Sequence, residues 1–427
     1  MTRRSVPSPL AVLLCALMLV TVACSSSKKS STATTTTTGK SAQPSSVADG
    51  TLTIGTLLPE TGSLAFLGPG EFAGVGVAIQ EINAAGGVLG KNIEVVNGDS
   101  GDASTDIGKR TVDRLLKAHV DAIVGSSSSA VTLGVIDQVT SAGVVMVSPA
   151  DRAKRLTDYP DHGLYFRTAP SDALQAQVLG QIITSDGNHR VGILAVADPY
   201  GEGMAADIGA TVTEAGGNVV ASKTYDTHAQ AFDSEVQAMV DAKPDAVVVV
   251  GYDETGAILD TMIAKGIGPK AIKVYGTDAN MGDAVGAHFA GSPGALQGMK
   301  GTTPLADLKD DFKAKLLEVD PKLANFNFAA ESYDAVVLVA LAAIAAKSDA
   351  GSAIAKAMID VSKVGTKCTT FEACAALLRS GTDIDYDGVS GPVDFTGSGD
   401  PAKASFGILQ FDGTNTLQTL EYRLGGA

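Results

Sequence analysis

At 427 residues, with 45% hydrophobic residues, 48 glycines and no tryptophan, the chain has the composition of a soluble α/β protein long enough for two domains, each with its own core. Its formal charge of −15 becomes −17 once the first 23 residues, which carry Arg3 and Arg4 and no acid, are removed. Such acidity weighs against nucleic acid or an anionic surface as partner.

Arg3 and Arg4 precede an apolar run over 10–22, too short to span a bilayer comfortably and right for a secretion signal. Thr21-Val22-Ala23-Cys24 closes that run with a small residue before cysteine, similar to the lipobox of bacterial lipoproteins, although Thr21 stands where Leu is usual. Residues 1–23 are therefore expected to be a lipoprotein signal peptide of the Gram-positive type, with Cys24 lipidated; a plain signal peptide cut elsewhere is the alternative. The following stretch, SSSKKSSTATTTTTGKSAQPSSVAD, lacks the bulk needed to fold. Residues 24–50 read as the lipidated cysteine and a disordered Ser/Thr-rich tether with a reach of about 25 to 30 Å, placing the body outside the cytoplasm at the cell membrane.

In chain order, TLTIGTL (51–57) alternates and then runs apolar, as a first strand should. A loop with Pro59, Gly62, Gly68 and Gly70 leads to a helix over 72–84, a Gly86-Gly87 break, a strand over 93–97 and a helix over 107–118. Then VDAIVGSSSSA (120–130) joins a buried strand through four serines to a helix patterned by Val131, Val135, Ile136 and Val139 and ended near Gly143. Ser at a helix start caps free N–H groups, and those N–H groups also suit a carboxylate or other anion. The serines equally suit capping alone. A strand over 144–148 follows, and Asp99, Gly125 and Ser148 fall at strand carboxyl ends, where ligands of parallel sheets bind.

Beyond Thr168 the same grammar repeats. Strands are expected over 191–197, 219–222, 246–250 and 272–275, and helices over 171–184, 203–215, 231–241 and 255–265. Residues 305–317, 327–345, 351–361 and 371–380 are helical in pattern and should complete one lobe; PVDF, ASFGILQF and LQTLEY return to strand pattern.

Cys368 and Cys374 remain after Cys15 and Cys24 are assigned, and an even pair in an exported protein most often bonds. Six residues apart on one helix would separate the α-carbons by about 9 Å, so Cys368 should precede the helix that carries Cys374. Gly201, Gly203 and Ala206 match a dinucleotide-binding pattern only weakly, since no acid ends the next strand. His119, His162, His189, His228 and His288 show no metal-ligand spacing, and no serine sits in a nucleophile elbow. No cofactor, metal or enzymatic activity is expected.

Laid out in order, TGSLAFLG, EINAAGGVLG, the serine turn, Ser148-Pro149, FRTAPSD, YGEGM and SGPVDF give the region 51–422 a close resemblance to the type I periplasmic binding proteins of ABC importers, most of all the branched-chain amino-acid binding group. That resemblance implies an α/β fold of two doubly wound parallel-sheet lobes joined by a three-strand hinge. The crossings are expected near Thr168, Thr303 and Pro392, giving lobe I as 51–168 plus 304–391 and lobe II as 169–303 plus 392–427. It also implies the site residues. Ser128 and Ser129 form the carboxylate seat; Ala150, Asp151 and Arg152 replace a segment that usually supplies a carbonyl and a hydroxyl; Tyr200 and Tyr252 are aromatic positions of the second lobe. Asp278 stands for the acid that pairs an ammonium, Phe328 for an aromatic at the side-chain end, and Leu67 for an aromatic lid residue. An Arg152 facing the cleft needs neutralising, by Asp151 or by an anion on the ligand. The implied protein is a monomeric, lipid-anchored solute-binding component that captures an amino acid or amide-like ligand and delivers it to ABC permease subunits. A sensory receptor of the same fold, or an enzyme, are the alternatives.

Overall fold

The computed structural model describes residues 48–226, 229 and 231–426; the signal peptide, Cys24, most of the tether and His228 lie outside the described residues. The first sheet forms from β1 (Thr53–Leu57), β2 (Glu94–Val96), β3 (Ala122–Gly125), β4 (Val145–Ser148) and β5 (Tyr165–Arg167). These strands are all parallel in the order β2-β1-β3-β4-β5. Between them run α1 (Gly68–Ala84), α2 (Ile107–Lys117) and α3 (Ser129–Ser141). A strand buried on both faces sends alternate side chains to opposite cores. Val124, Val145 and Val147 join one core, while Ile123 and Met146 join the other under α2 and α3.

The second sheet follows α4 (Asp172–Ser185). Its strands and helices run β6 (Arg190–Val196), α5 (Pro199–Glu214), β7 (Asn218–Tyr225), α6 (Asp233–Ala242), β8 (Ala246–Val250), α7 (Thr255–Ala264), β9 (Lys273–Gly276), α8 (Asp283–His288) and β10 (Lys300–Pro304). The chain then returns to the first lobe through α9 (Asp310–Val319), α10 (Ala329–Ala346), α11 (Gly351–Val361), β11 (Thr366–Cys368), α12 (Phe371–Arg379) and β12 (Ile384–Tyr386). It ends in the second lobe with β13 (Ala404–Phe411) and β14 (Leu417–Gly425). The order in this sheet is β14-β13-β10-β9-β8-β6-β7.

Three differences from the sequence reading have physical reasons. The second sheet is mixed, because β13 pairs antiparallel with β10 and β14 antiparallel with β13; a terminal hairpin needs no crossover helix and adds two strands at the edge. The helix expected over 305–317 begins at Asp310, because GTTP pairs with β9 and β13 as strand β10. PVDF makes bridges but no strand, and Val393 and Phe395 bury in the first lobe's core against Phe166. The last crossing therefore falls between Phe395 and Ala404, not at 392.

The helix α10 is long and apolar enough to cross a membrane, yet its residues are mostly buried at the centre of the first lobe. It packs on α1 so closely that a Cβ on Gly74 would come within 2.1 Å of the Ala329 carbonyl. Cys368, at the end of β11, bonds Cys374 on α12 across a Cα separation of 5.4 Å. That is the placement which the six-residue spacing required. Gly201 is helical, with its N–H donating to the Asp198 cap and no room for a Cβ against Val196. Gly201 of the weak nucleotide pattern thus serves packing, whereas Gly203 faces open space.

Candidate functional site

The carboxyl ends of β3 and β4 in the first lobe, and of β6, β8 and β9 in the second, carry the residues singled out above except Leu67 and Phe328, which stand at the N-termini of α1 and α10. Gly125 ends β3 at φ +135, and a Cβ there would meet the Leu57 carbonyl at 2.2 Å, so only glycine admits the chain into the serine turn. Within the turn three of the four hydroxyls are engaged. Ser126 Oγ hydrogen-bonds Thr132 Oγ1 at 2.8 Å, and Ser127 Oγ donates to Glu71 at 2.7 Å. Ser128 is the N-cap residue of α3 without a side-chain cap bond. Ser129 Oγ accepts from the N–H groups of Arg152 and Ala153, each at 3.3 Å, and so fixes the loop after β4. The first turn of α3, with Ser129 half-buried and Ala130 exposed, carries backbone N–H groups with a partial positive charge.

In that loop Ala150 and Asp151 turn inward. Asp151 is fully buried and accepts from Tyr165 Oη at 3.0 Å, and its N–H donates to Ser148 Oγ at 2.8 Å. Burial pushes its carboxyl up to about 6, against hydrogen bonds from Thr132 and Tyr165. It therefore neither lines the cleft nor neutralises Arg152. The Arg152 guanidinium pairs instead with Asp278 of the second lobe, their side chains 19% and 12% exposed, and reaches Gln175 Oε1 at 3.4 Å. Burial alone would lower this guanidinium's pKa; Asp278 and then Asp172 outweigh it and hold the group above its ordinary value. Lys154 adds a second link between the lobes, to Asp207 on α5 at 2.6 Å.

In the second lobe Tyr200 and Tyr252 stack with ring centroids 5.6 Å apart. Tyr200 Oη shares a 2.8 Å hydrogen bond with Thr277, and Tyr252 Oη donates to Asp198 at 2.8 Å while its ring stays partly exposed. Phe328 sits half-buried at the N-cap of α10 in a left-handed conformation, φ 58. Leu67 is buried, whereas its neighbour Phe66 is 58% exposed: the aromatic side chain is offset by one residue. The structure brings Arg152, Tyr200 and Asp278 into one cluster, with Tyr252 against Tyr200 and Ser129 beneath the Arg152 backbone. It does not bring Asp151. Sequence reasoning missed Asp172, Gln175 and Thr277, although FRTAPSD and YGTD contained two of them.

A family model described as "Periplasmic binding protein" matches residues 51–415. The leucine-, isoleucine-, valine-, threonine-, and alanine-binding protein of Pseudomonas aeruginosa is 29% identical over 303 residues, 69% of this chain and 78% of that protein. The chemotactic signal transduction system substrate-binding protein BasB of Halobacterium salinarum is 26% identical over 366 residues, 82% of this chain and 84% of that protein. Among solved structures, the Streptococcus pneumoniae LivJ complex with isoleucine shares the fold at a TM-score of 0.64 and 23% identity, covering 88% of this chain and 99% of the other. A solute-binding protein of R. palustris in complex with benzoate does so at 0.61 and 20%, covering 87% and 96%. The chain belongs to the periplasmic binding protein family, with the two-lobed type I fold, a family of solute-binding proteins rather than enzymes.

Proposed function

We propose that this protein is the lipid-anchored, extracytoplasmic solute-binding component of an ABC importer, capturing a small amino-acid-like or amide-like solute between its lobes and handing it to the permease. The observation that carries the reading is the opposition of the serine turn and α3 N-terminus on one lobe to Tyr200, Tyr252 and Asp278 on the other, with Arg152 spanning the gap. An anionic end of the ligand is received by Ser128 and Ser129; Phe328 and the loop bearing Phe66 and Leu67 border the remainder. A ligand favours closure only through contacts made to both lobes at once. Cys24 supplies the anchor, and the body acts as a monomer.

Thermal-shift screening of amino acids, amides and short carboxylic acids, followed by small-angle scattering, tests this reading. A ligand at 100 times its Kd adds about 2.7 kcal/mol of stability. The radius of gyration should fall on saturation; a verified ligand that leaves it unchanged contradicts closure. A sensory receptor of the same fold has support from the chemotactic relative, and the presence or absence of permease and ATPase genes beside this one separates the two.

A further inference from the structure

The second sheet has two edges of different character, β7 and β14. Exposed polar residues, Asn218, Ser222, Lys223 and Thr224, blunt β7, as is usual where a sheet ends in water. The other edge, β14, runs nine residues, LQTLEYRLG, with neither lysine nor proline, and no strand among the described residues pairs with its outer side. Three large apolar side chains stand out from it: Leu420 is 51% exposed, Tyr422 44% and Leu424 54%. The register explains why they are uncovered. Tyr422 lies opposite Gly407 and Leu424 opposite Ser405 of β13, and neither neighbour is large enough to shield them. Leu420 has no partner in β13, because β14 bulges there. A bulge protects an edge, but this one leaves 421–424 in regular register. Glu421 and Arg423 lie on the opposite face, across from Ile408 and Phe406, and pair with each other.

We propose that the outer edge of β14 pairs with β14 of a second copy of this chain, antiparallel and two-fold symmetric about Tyr422. Charge complementarity selects this occupant and this register. In an antiparallel pair related by a two-fold axis, facing residues share one side of the sheet and their numbers add to a constant, so the strand meets itself about one residue. About Glu421 the two glutamates would face each other, and about Arg423 the two arginines would; like charges directly opposite are unfavourable. About Tyr422, each Glu421 faces Arg423 of the second copy, Tyr422 meets Tyr422, and Leu420 meets Leu424. The strand is thus complementary to itself. Pairing gives the outer N–H and C=O groups of β14 partners and takes the three apolar side chains out of water. Two strands, β13 and β10, separate β14 from β9, the nearest strand that carries a cleft residue. Each body still captures its own solute as a single unit, and the pairing changes only what stands beside it.

The test is disulfide trapping of the full chain in the cells that express it. Tyr422→Cys brings two thiols together with their α-carbons about 4.5 to 5.5 Å apart, within disulfide reach, whereas Gln418→Cys leaves them roughly 27 Å apart. After mild oxidation with copper phenanthroline, Tyr422→Cys is expected to give at least tenfold more covalent dimer than Gln418→Cys or wild type. Adding Glu421→Arg to Tyr422→Cys should cut that yield at least fivefold, and exchanging both charges, with Glu421→Arg and Arg423→Glu together, should restore it. Thermal melts matching wild type identify the folded variants, and Tyr422→Cys alone already decides whether the edges meet. A folded Tyr422→Cys protein that stays monomeric, that links instead to a protein of another mass, or whose yield ignores the charge reversal overturns the pairing. Solute binding in the cleft is independent of either result.

Discussion

Replacing Glu71 by Gln should make the protein progressively more stable than wild type as pH rises. Glu71 lies on α1 with no exposure, and it receives a 2.7 Å hydrogen bond from Ser127 while its Oε1 has no partner among the described residues. Burial raises its carboxyl from 4.5 to about 8; the Ser127 hydrogen bond opposes the shift, and Asp151 and Glu331 add to it. The folded pKa lies above the unfolded one. Stability from the proton on Glu71 is therefore fully present below pH 4.5 and is lost as pH rises through about 8. Across that interval the unfolded chain has released a proton that the folded protein keeps, at about 1.4 kcal/mol per pH unit, so the ceiling is about 5 kcal/mol. Gln keeps the shape and the hydrogen bond to Ser127 but has no proton to release. Removing the charge also relieves Asp151 and Glu331, which acts in the same direction. Matched thermal melts of ligand-free protein at pH 5, 6, 7 and 8 should show the variant gaining about 4 kcal/mol on wild type over the series. At roughly 2 to 4 °C per kcal/mol the melting temperatures should diverge by about 8 °C or more. Parallel profiles, with an offset constant to about 1 kcal/mol, would refute the buried neutral carboxyl.

Arg167→Ala should cost about 3 to 5 kcal/mol in urea unfolding, because Asp400, which receives Nε and Nη2 at 2.6 and 2.7 Å, would remain buried without its partner; a loss under about 1 kcal/mol would show that water or Thr157 replaces the arginine. Gly125→Ala combines a φ of +135 with a 2.2 Å approach to Leu57 O, so it should destabilise by at least about 3 kcal/mol and weaken ligand binding, and a wild-type melt would contradict the tight turn. Alkylation without reductant should add no mass at Cys368 and Cys374, and severing their bond should lower stability by about 2 kcal/mol; two alkyl additions would disprove the bond. Cys24→Ala should release the protein from membranes, and retention through a carbonate wash would exclude lipidation as the anchor.

The sequence alone determined what depends on neighbours along the chain. Apolar period separated strand from helix: 246–250 and 351–361 match β8 and α11 to the residue, and the break between β3 and α3 falls in the serine turn as read. The disulfide followed from the same local reasoning, since six residues along one helix cannot close it. The antiparallel hairpin of β13 and β14 and the strand character of GTTP needed the tertiary structure, because pairing across the sheet decides whether a short, weakly patterned stretch is extended. The site divides in the same way. The serine, tyrosine and aspartate positions came from the family resemblance, and their placement at or just beyond strand carboxyl ends agrees with where ligands of such sheets bind. The directions of Asp151 and Arg152 were not. Adjacent loop residues point to different sides, and only the packed first lobe, with Tyr165 and Ser148 waiting inside it, drew Asp151 inward. The partner of Arg152 lies 126 positions away on the other lobe, a distance along the chain that no local pattern bridges.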